Sequence, residues 1–162
     1  MTDSERLRKF LDFSSKLTAF SVYDLEGTGQ AEAYLSTVTG VVGPEIVDKL
    51  LDTYAGVKTA AQVEGRDLDG MLRREILADA MLGPIARNII KMWYVGTWYQ
   101  LANAWRQTFG TREKDFMHMV SAAAYTEGLL WTTIGANPNG AKAPGYGSWA
   151  QPPRIPAEGD TR

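Results

Sequence analysis

The chain has a single histidine, so any imidazole chemistry would fall to His118. It stands between Met117 and Met119, with Asp115 three residues before it and Ser121 three residues after. A nucleophile, an imidazole and an orienting carboxylate are the residue types of an acyl-transfer relay. No G-x-S-x-G elbow surrounds a serine, however, and a lone histidine in an apolar stretch usually serves packing. One histidine without cysteine supplies too few ligands for zinc. Asp67, Asp69, Glu75 and Asp79 read as an acidic first helical turn and a solvated helix face rather than an oxygen cage for a cation. Gly27-Thr28-Gly29 and Gly145-Tyr146-Gly147 have neither a preceding strand nor the full spacing of a phosphate-binding loop. The expectation is a chain with no catalytic residue, no cofactor site and no metal ligand of its own, and hence a binding module.

Composition narrows the partners. The 17 Lys and Arg are interspersed with 19 Asp and Glu, for a net charge of -2, which argues against a nucleic-acid footprint. Cysteine is absent, so neither disulfides nor thiolate chemistry enter. Met1 to Phe10 carries Arg6, Arg8 and Lys9 without a following apolar region, and Arg73-Arg74 is interior, so neither reads as an export signal. The most apolar stretch, Ile89 to Phe109, is interrupted by Lys91, Gln100, Asn103, Arg106 and Gln107 and is too polar to insert in a membrane.

Helices must position whatever surface does the binding. Leu7, Phe10, Leu11, Ser14 and Leu17 recur at helical spacing after an Asp3 or Ser4 cap. Thr28 is placed to cap a second helix with Ala31, Tyr34, Leu35, Val38 and Val42, and Gly43-Pro44 to stop it and start a third through Tyr54. Gly56 to Gly65 reads as a loop, and Asp67 as the cap of a fourth helix ending at Gly83-Pro84. From Pro84 to about Phe109 one long helix is expected, with two apolar stripes. Ile85, Ile89, Met92, Gly96 and Tyr99 form one; Ile90, Tyr94, Trp98, Leu101 and Trp105 form the other, with Trp93 beside them. A helix this apolar is buried on two sides, by its own core or by a partner. Phe116 to Val120 could be extended, and Ser121 caps a last helix up to Gly135. The final 28 residues hold five of the seven prolines and five of the sixteen glycines, and no helical period. The reading is all-α: a single compact helical domain of five or six helices over residues 1–134, with an extended Pro/Gly-rich C-terminal arm over 135–162.

In order, several segments resemble those of one family. Phe13 to Phe20 resembles an "LS-x-x-LTGF" opening; Ala31 to Leu35 is similar to "YL-x-x-L"; Ile89 to Gly96 is similar to "I-x-x-x-WY-x-G". Tyr125 to Trp131 is similar to "Y-x-x-AL-x-W", and Pro144 to Pro153 to a "PG-x-WA-x-x-P" tail. These are features of the small, or gamma, subunit of membrane-associated FAD-dependent sorbitol, fructose and glucose dehydrogenases. The resemblance implies a non-catalytic accessory subunit that stabilises, matures and helps export a large FAD-binding flavoprotein of the glucose-methanol-choline type. It further implies FAD in that partner, a multi-haem cytochrome c in some complexes, and a periplasmic or membrane-associated site. The twin-arginine signal common in the family has no counterpart in this sequence, which leaves a cytoplasmic site as the alternative.

The partner interface expected on this basis comprises Trp93, Tyr94, Trp98, Tyr125 and Trp131 from the helices, with Pro144, Tyr146, Trp149, Pro152 and Pro153 from the arm. Two alternatives remain. One is a stand-alone helical small-molecule binding protein whose Trp93, Trp98, Trp105 and Trp131 form an aromatic pocket; the other is a lone hydrolase built on His118.

Overall fold

A computed structural model describes residues 1–141 of the protein. Among the described residues the chain is mostly helical, with two short strands, as the all-α reading expects. It comprises α1 (Asp3–Thr18), α2 (Val22–Gly27), α3 (Ala31–Val42), α4 (Pro44–Glu64) and α5 (Leu68–Leu72), which runs into a π-helical turn at Arg73–Leu77. Then come α6 (Leu82–Val95), β1 (Thr97–Trp98), α7 (Asn103–Phe109), β2 (His118–Met119), α8 (Ala122–Thr126) and α9 (Leu129–Thr133).

Local chemistry sets most of these boundaries. The Thr2 hydroxyl accepts the Glu5 N–H at the start of α1, and Ser21 and Asp24 form a reciprocal capping box on the short α2. Thr28 does not open α3; its hydroxyl donates to the Leu25 carbonyl and closes α2 instead. Gly43 takes φ 92°, turning the chain so that Pro44 can occupy the first turn of α4. Helix α4 passes through Gly56 and ends only at Glu64, removing the loop expected there. Tyr54, Val57 and Ala61 continue one buried face, and that burial outweighs the roughly 1 kcal/mol a mid-helix glycine costs.

The larger difference lies after α6. Instead of one helix to Phe109, the chain turns at Gly96, whose φ is 68°, and crosses to β1 before α7 begins. Gly96 packs so closely that a Cβ would sit 2.6 Å from the Ala124 carbonyl carbon and oxygen. The first stripe holds from Ile85 to Met92 and loses Tyr99 beyond the turn, and the second is divided among a helix, a strand and a second helix.

The core lies between α1, α3, α4 and α6. Trp93 stacks with Phe10 at 6.3 Å and meets Tyr34 edge-on at 4.8 Å, while Phe13 contacts Tyr54 at 5.1 Å. Along the outer side of α1, Arg6 pairs with Asp48, Lys9 with Asp52 and Asp12 with Lys58. Residue numbers rise together in these pairs, so α1 and α4 run in the same direction. Lys16 extends the series to Asp69 in α5.

Candidate functional site

Each member of the hypothetical relay is committed to a structural partner. Asp115 is buried; its Oδ1 accepts from Trp98 Nε1 and from the Leu101 N–H, both at 3.0 Å. The Ser121 hydroxyl caps α8 by accepting the Ala124 N–H at 2.9 Å and donates to Gln30 Oε1 at 3.3 Å. His118 Nδ1 lies 2.8 Å from the Phe116 carbonyl, with its ring 4.8 Å from the Phe116 ring. The acidic residues divide similarly. Asp67 caps α5, Asp69 pairs with Lys16, and Asp79 accepts from the Met81 and Leu82 N–H groups at the start of α6. Among the described residues no three His, Cys, Asp or Glu side chains gather as a metal site requires.

Two buried polar side chains rigidify the segment after α6. Asn88 donates through Nδ2 to the Tyr99 carbonyl at 2.8 Å and accepts the Tyr99 N–H at 3.3 Å, so one side chain closes both backbone groups of that residue. Asp115 holds Trp98 and Leu101 from the other side, and Gln100 Nε2 donates to the Asp115 carbonyl at 2.9 Å. Trp105 Nε1 donates to the Met81 carbonyl, fixing α7 against the start of α6. Lys91 lies over the Tyr99 ring with Nζ 4.8 Å from its centre.

On this base β1 and β2 form an antiparallel ribbon, Thr97 opposite Met119 and Trp98 opposite His118, extended by the Val120 N–H donating to the Gly96 carbonyl. Beside it the Phe116 and His118 rings meet, with Met117 between them in sequence and Met119 directly after. Phe116, Met117 and Met119 are 54%, 66% and 50% exposed, three large apolar side chains held out in four residues. Sequence reasoning read this stretch as extended and did not name it as a surface. Its signal was an unbroken Phe-Met-His-Met run too short to build a core element, next to the charged Arg112-Glu113-Lys114.

The residues expected at a partner interface separate into three groups. Trp93 and Trp98 are in this chain's own core and offer no ring to a partner. For Trp98 the reason is the break at Gly96: in β1 its side chain turns inward toward Asp115 instead of lying on an outer helical stripe. Tyr94 is half-buried, its hydroxyl donating to the Thr18 carbonyl at 3.2 Å and its ring edge-on to Phe20. Tyr125 and Trp131 are also half-buried and pack edge to face at 5.4 Å, with Trp131 Nε1 donating to the Tyr125 carbonyl at 2.7 Å. The chain then folds back: Gly135 has φ 65°, the Ala136 N–H reaches the Trp131 carbonyl, and the Tyr125 hydroxyl lies 3.4 Å from the Asn139 carbonyl. Pro144, Tyr146, Trp149, Pro152 and Pro153 lie outside the described residues.

A groove of about 720 Å³ runs between α1 and α3, with Leu7 and Leu35 among its apolar lining and Ser4, Ser36 and Thr39 among its hydroxyls. None of its lining residues is aromatic, while Trp93, Trp98 and Trp105 fill the core. Among the described residues no helix is long and apolar enough to cross a membrane. No family model, curated protein or solved structure matches the chain.

Proposed function

We propose that this chain is an accessory subunit that binds, stabilises and helps mature a large FAD-dependent sugar or polyol dehydrogenase of the glucose-methanol-choline type. FAD and the oxidation reside in the partner, a multi-haem cytochrome c completes some such complexes, and the assembly is periplasmic or membrane-associated. The order of sequence segments from Phe13 to Pro153 supports the choice of partner.

The observation that carries the docking role is the apolar ribbon. Methionine and aromatic side chains are enriched at protein interfaces, and a surface already fixed in its bound shape loses less entropy on binding than a loop that must order. Phe116, Met117 and Met119 have this arrangement, because Asp115 anchors the start of their segment to Leu101 and the Val120 N–H bonds the Gly96 carbonyl at its end. Each side chain of this kind returns about 1–2 kcal/mol when its exposed part is covered. The half-buried Tyr125 and Trp131 follow on α8 and α9 and lead toward the Pro/Gly-rich arm with Trp149, so the contact surface assigned to the partner runs through the last third of the chain.

Co-expression of the tagged chain with the large flavoprotein, followed by pull-down, tests the proposal. A flavin-containing, sugar-oxidising protein should elute at equal stoichiometry. Phe116→Asp with Met117→Asp should weaken capture at least tenfold while leaving the circular dichroism unchanged. Trp149→Ala should weaken it roughly thirtyfold, the effect of losing about 2 kcal/mol at an interface anchor. The proposal fails if the flavoprotein folds, loads FAD and oxidises its substrate equally well without this chain, or if the isolated chain retains stoichiometric flavin.

A further inference from the structure

We infer that Met117 and Met119 form a paired oxidation site for hydroperoxides, through which the ribbon surface switches from apolar to polar. The inference rests on the docking reading for its biological consequence, but its chemistry belongs to the isolated chain.

Thioether oxidation follows access, and the six methionines differ sharply in it. Met92 is fully buried and Met71 is 8% exposed, whereas Met117 and Met119 are 66% and 50% exposed, with Met1 at 41% far from the ribbon in sequence. The two sulfurs belong to residues that flank His118 in sequence, one before and one within β2, so two exposed thioethers fall within three residues. In the reaction a sulfur lone pair attacks the outer oxygen of the peroxide and a sulfur–oxygen bond forms as the oxygen–oxygen bond breaks. The proton of the transferred oxygen passes to the leaving oxygen. The thioether is oxidised by two electrons to the sulfoxide, and hydrogen peroxide is reduced to water. A sulfoxide is a polar hydrogen-bond acceptor, so two within three residues convert an apolar docking surface into one that favours water.

Nothing in the core depends on either side chain, since both project from a backbone held by Asp115 and the Gly96–Val120 hydrogen bond. Oxidation therefore changes the surface and leaves the fold. It also acts before assembly: once a partner covers the ribbon, the sulfurs are shielded, and protection from peroxide becomes a footprint of docking.

The test exposes the full chain to limiting hydrogen peroxide and maps sulfoxides by peptide mass spectrometry, with retention on a hydrophobic-interaction column as a second readout. Met117 and Met119 should oxidise at least tenfold faster than Met71 and Met92, and the oxidised chain should elute earlier with unchanged circular dichroism. Methionine sulfoxide reductases should restore the original retention, and Met117→Leu with Met119→Leu should remove most of the peroxide-induced shift. Equal oxidation of Met92 overturns the inference, as does unchanged retention of the oxidised chain or an equal loss of retention in the Leu variant. If oxidation shifts retention but the large flavoprotein still binds with unchanged affinity, the site stands and the assignment of the ribbon as the docking surface falls.

Discussion

Arg6 on α1 holds Asp48 on α4 through two parallel hydrogen bonds, Nε to Oδ1 at 2.7 Å and Nη2 to Oδ2 at 3.1 Å. Bidentate pairing of this kind fixes direction as well as distance, and it sets the register of the two longest helices. The hydrogen bond from Arg6 holds the Asp48 carboxyl below its ordinary range, against a smaller opposing effect of burial.

That relationship has a pH signature. A carboxylate with a depressed pKa in the folded state binds its proton more tightly when unfolded, so its contribution is complete above the ordinary carboxylate pKa of about 4 and is lost as pH falls through the lower folded value. Asp48→Asn should cost about 1 kcal/mol at pH 7, and the difference from wild type should disappear near pH 2. Thermal melts of both proteins between pH 7 and pH 2 measure this; a difference that stays constant with pH would assign the cost to packing.

Gly96→Ala should be among the most destabilising single-methyl additions in the chain. It combines a left-handed backbone with a Cβ 2.6 Å from the Ala124 carbonyl, and the expected loss is about 3 kcal/mol or more. Gly65 supplies the control, with φ 62° and nothing within 4 Å of its would-be Cβ. Gly65→Ala should cost only about 1 kcal/mol. Urea denaturation of the two variants separates the close approach from the backbone strain, and equal losses would mean that α8 can move away from Gly96.

Asp115→Ala removes the acceptor for two buried donors at once, the Trp98 indole and the Leu101 N–H. Leaving both unpaired should cost about 2–5 kcal/mol, and amide hydrogen exchange should accelerate first over residues 97–101 and 116–120. Trp98→Asp, by contrast, places a charge in the core and should prevent folding altogether. Uniform acceleration of exchange in Asp115→Ala would show that the ribbon is not held separately from the bundle.

Much of this architecture was legible where one residue type has one physical use. The apolar period of α1, the Gly43-Pro44 stop and start, and the Asp67 and Ser121 caps all stand where spacing placed them. Legibility failed where distant contacts outweighed local signals. The stretch from Gly56 to Gly65 reads as a loop by its glycines, yet residues 56–64 belong to α4, because the buried run through Val57 and Ala61 decides the matter. The stripe Ile90, Tyr94, Trp98, Leu101, Trp105 has helical spacing and is buried at Trp98, Leu101 and Trp105, yet it is not one helix. A two-residue strand is too short to display alternation, and only the packing of Gly96 on Ala124 reveals the turn. The π-helical turn at Arg73–Leu77 left no trace in composition at all. For the candidate site, burial was the missing quantity: tryptophans stand out by size, whereas Phe116, Met117 and Met119 are the exposed apolar groups that fall within four residues of one another.

The shared direction of α1 and α4 bears on how the protein is made. Arg6, Lys9 and Asp12 find their partners 42, 43 and 46 residues downstream, so α1 is synthesised well before the helix it pairs with. At about 5–20 residues per second the wait lasts roughly two to nine seconds. Until then Phe13 lacks Tyr54, and Phe10 waits longer still for Trp93, so part of the apolar stripe of α1 stays uncovered, a condition that favours aggregation.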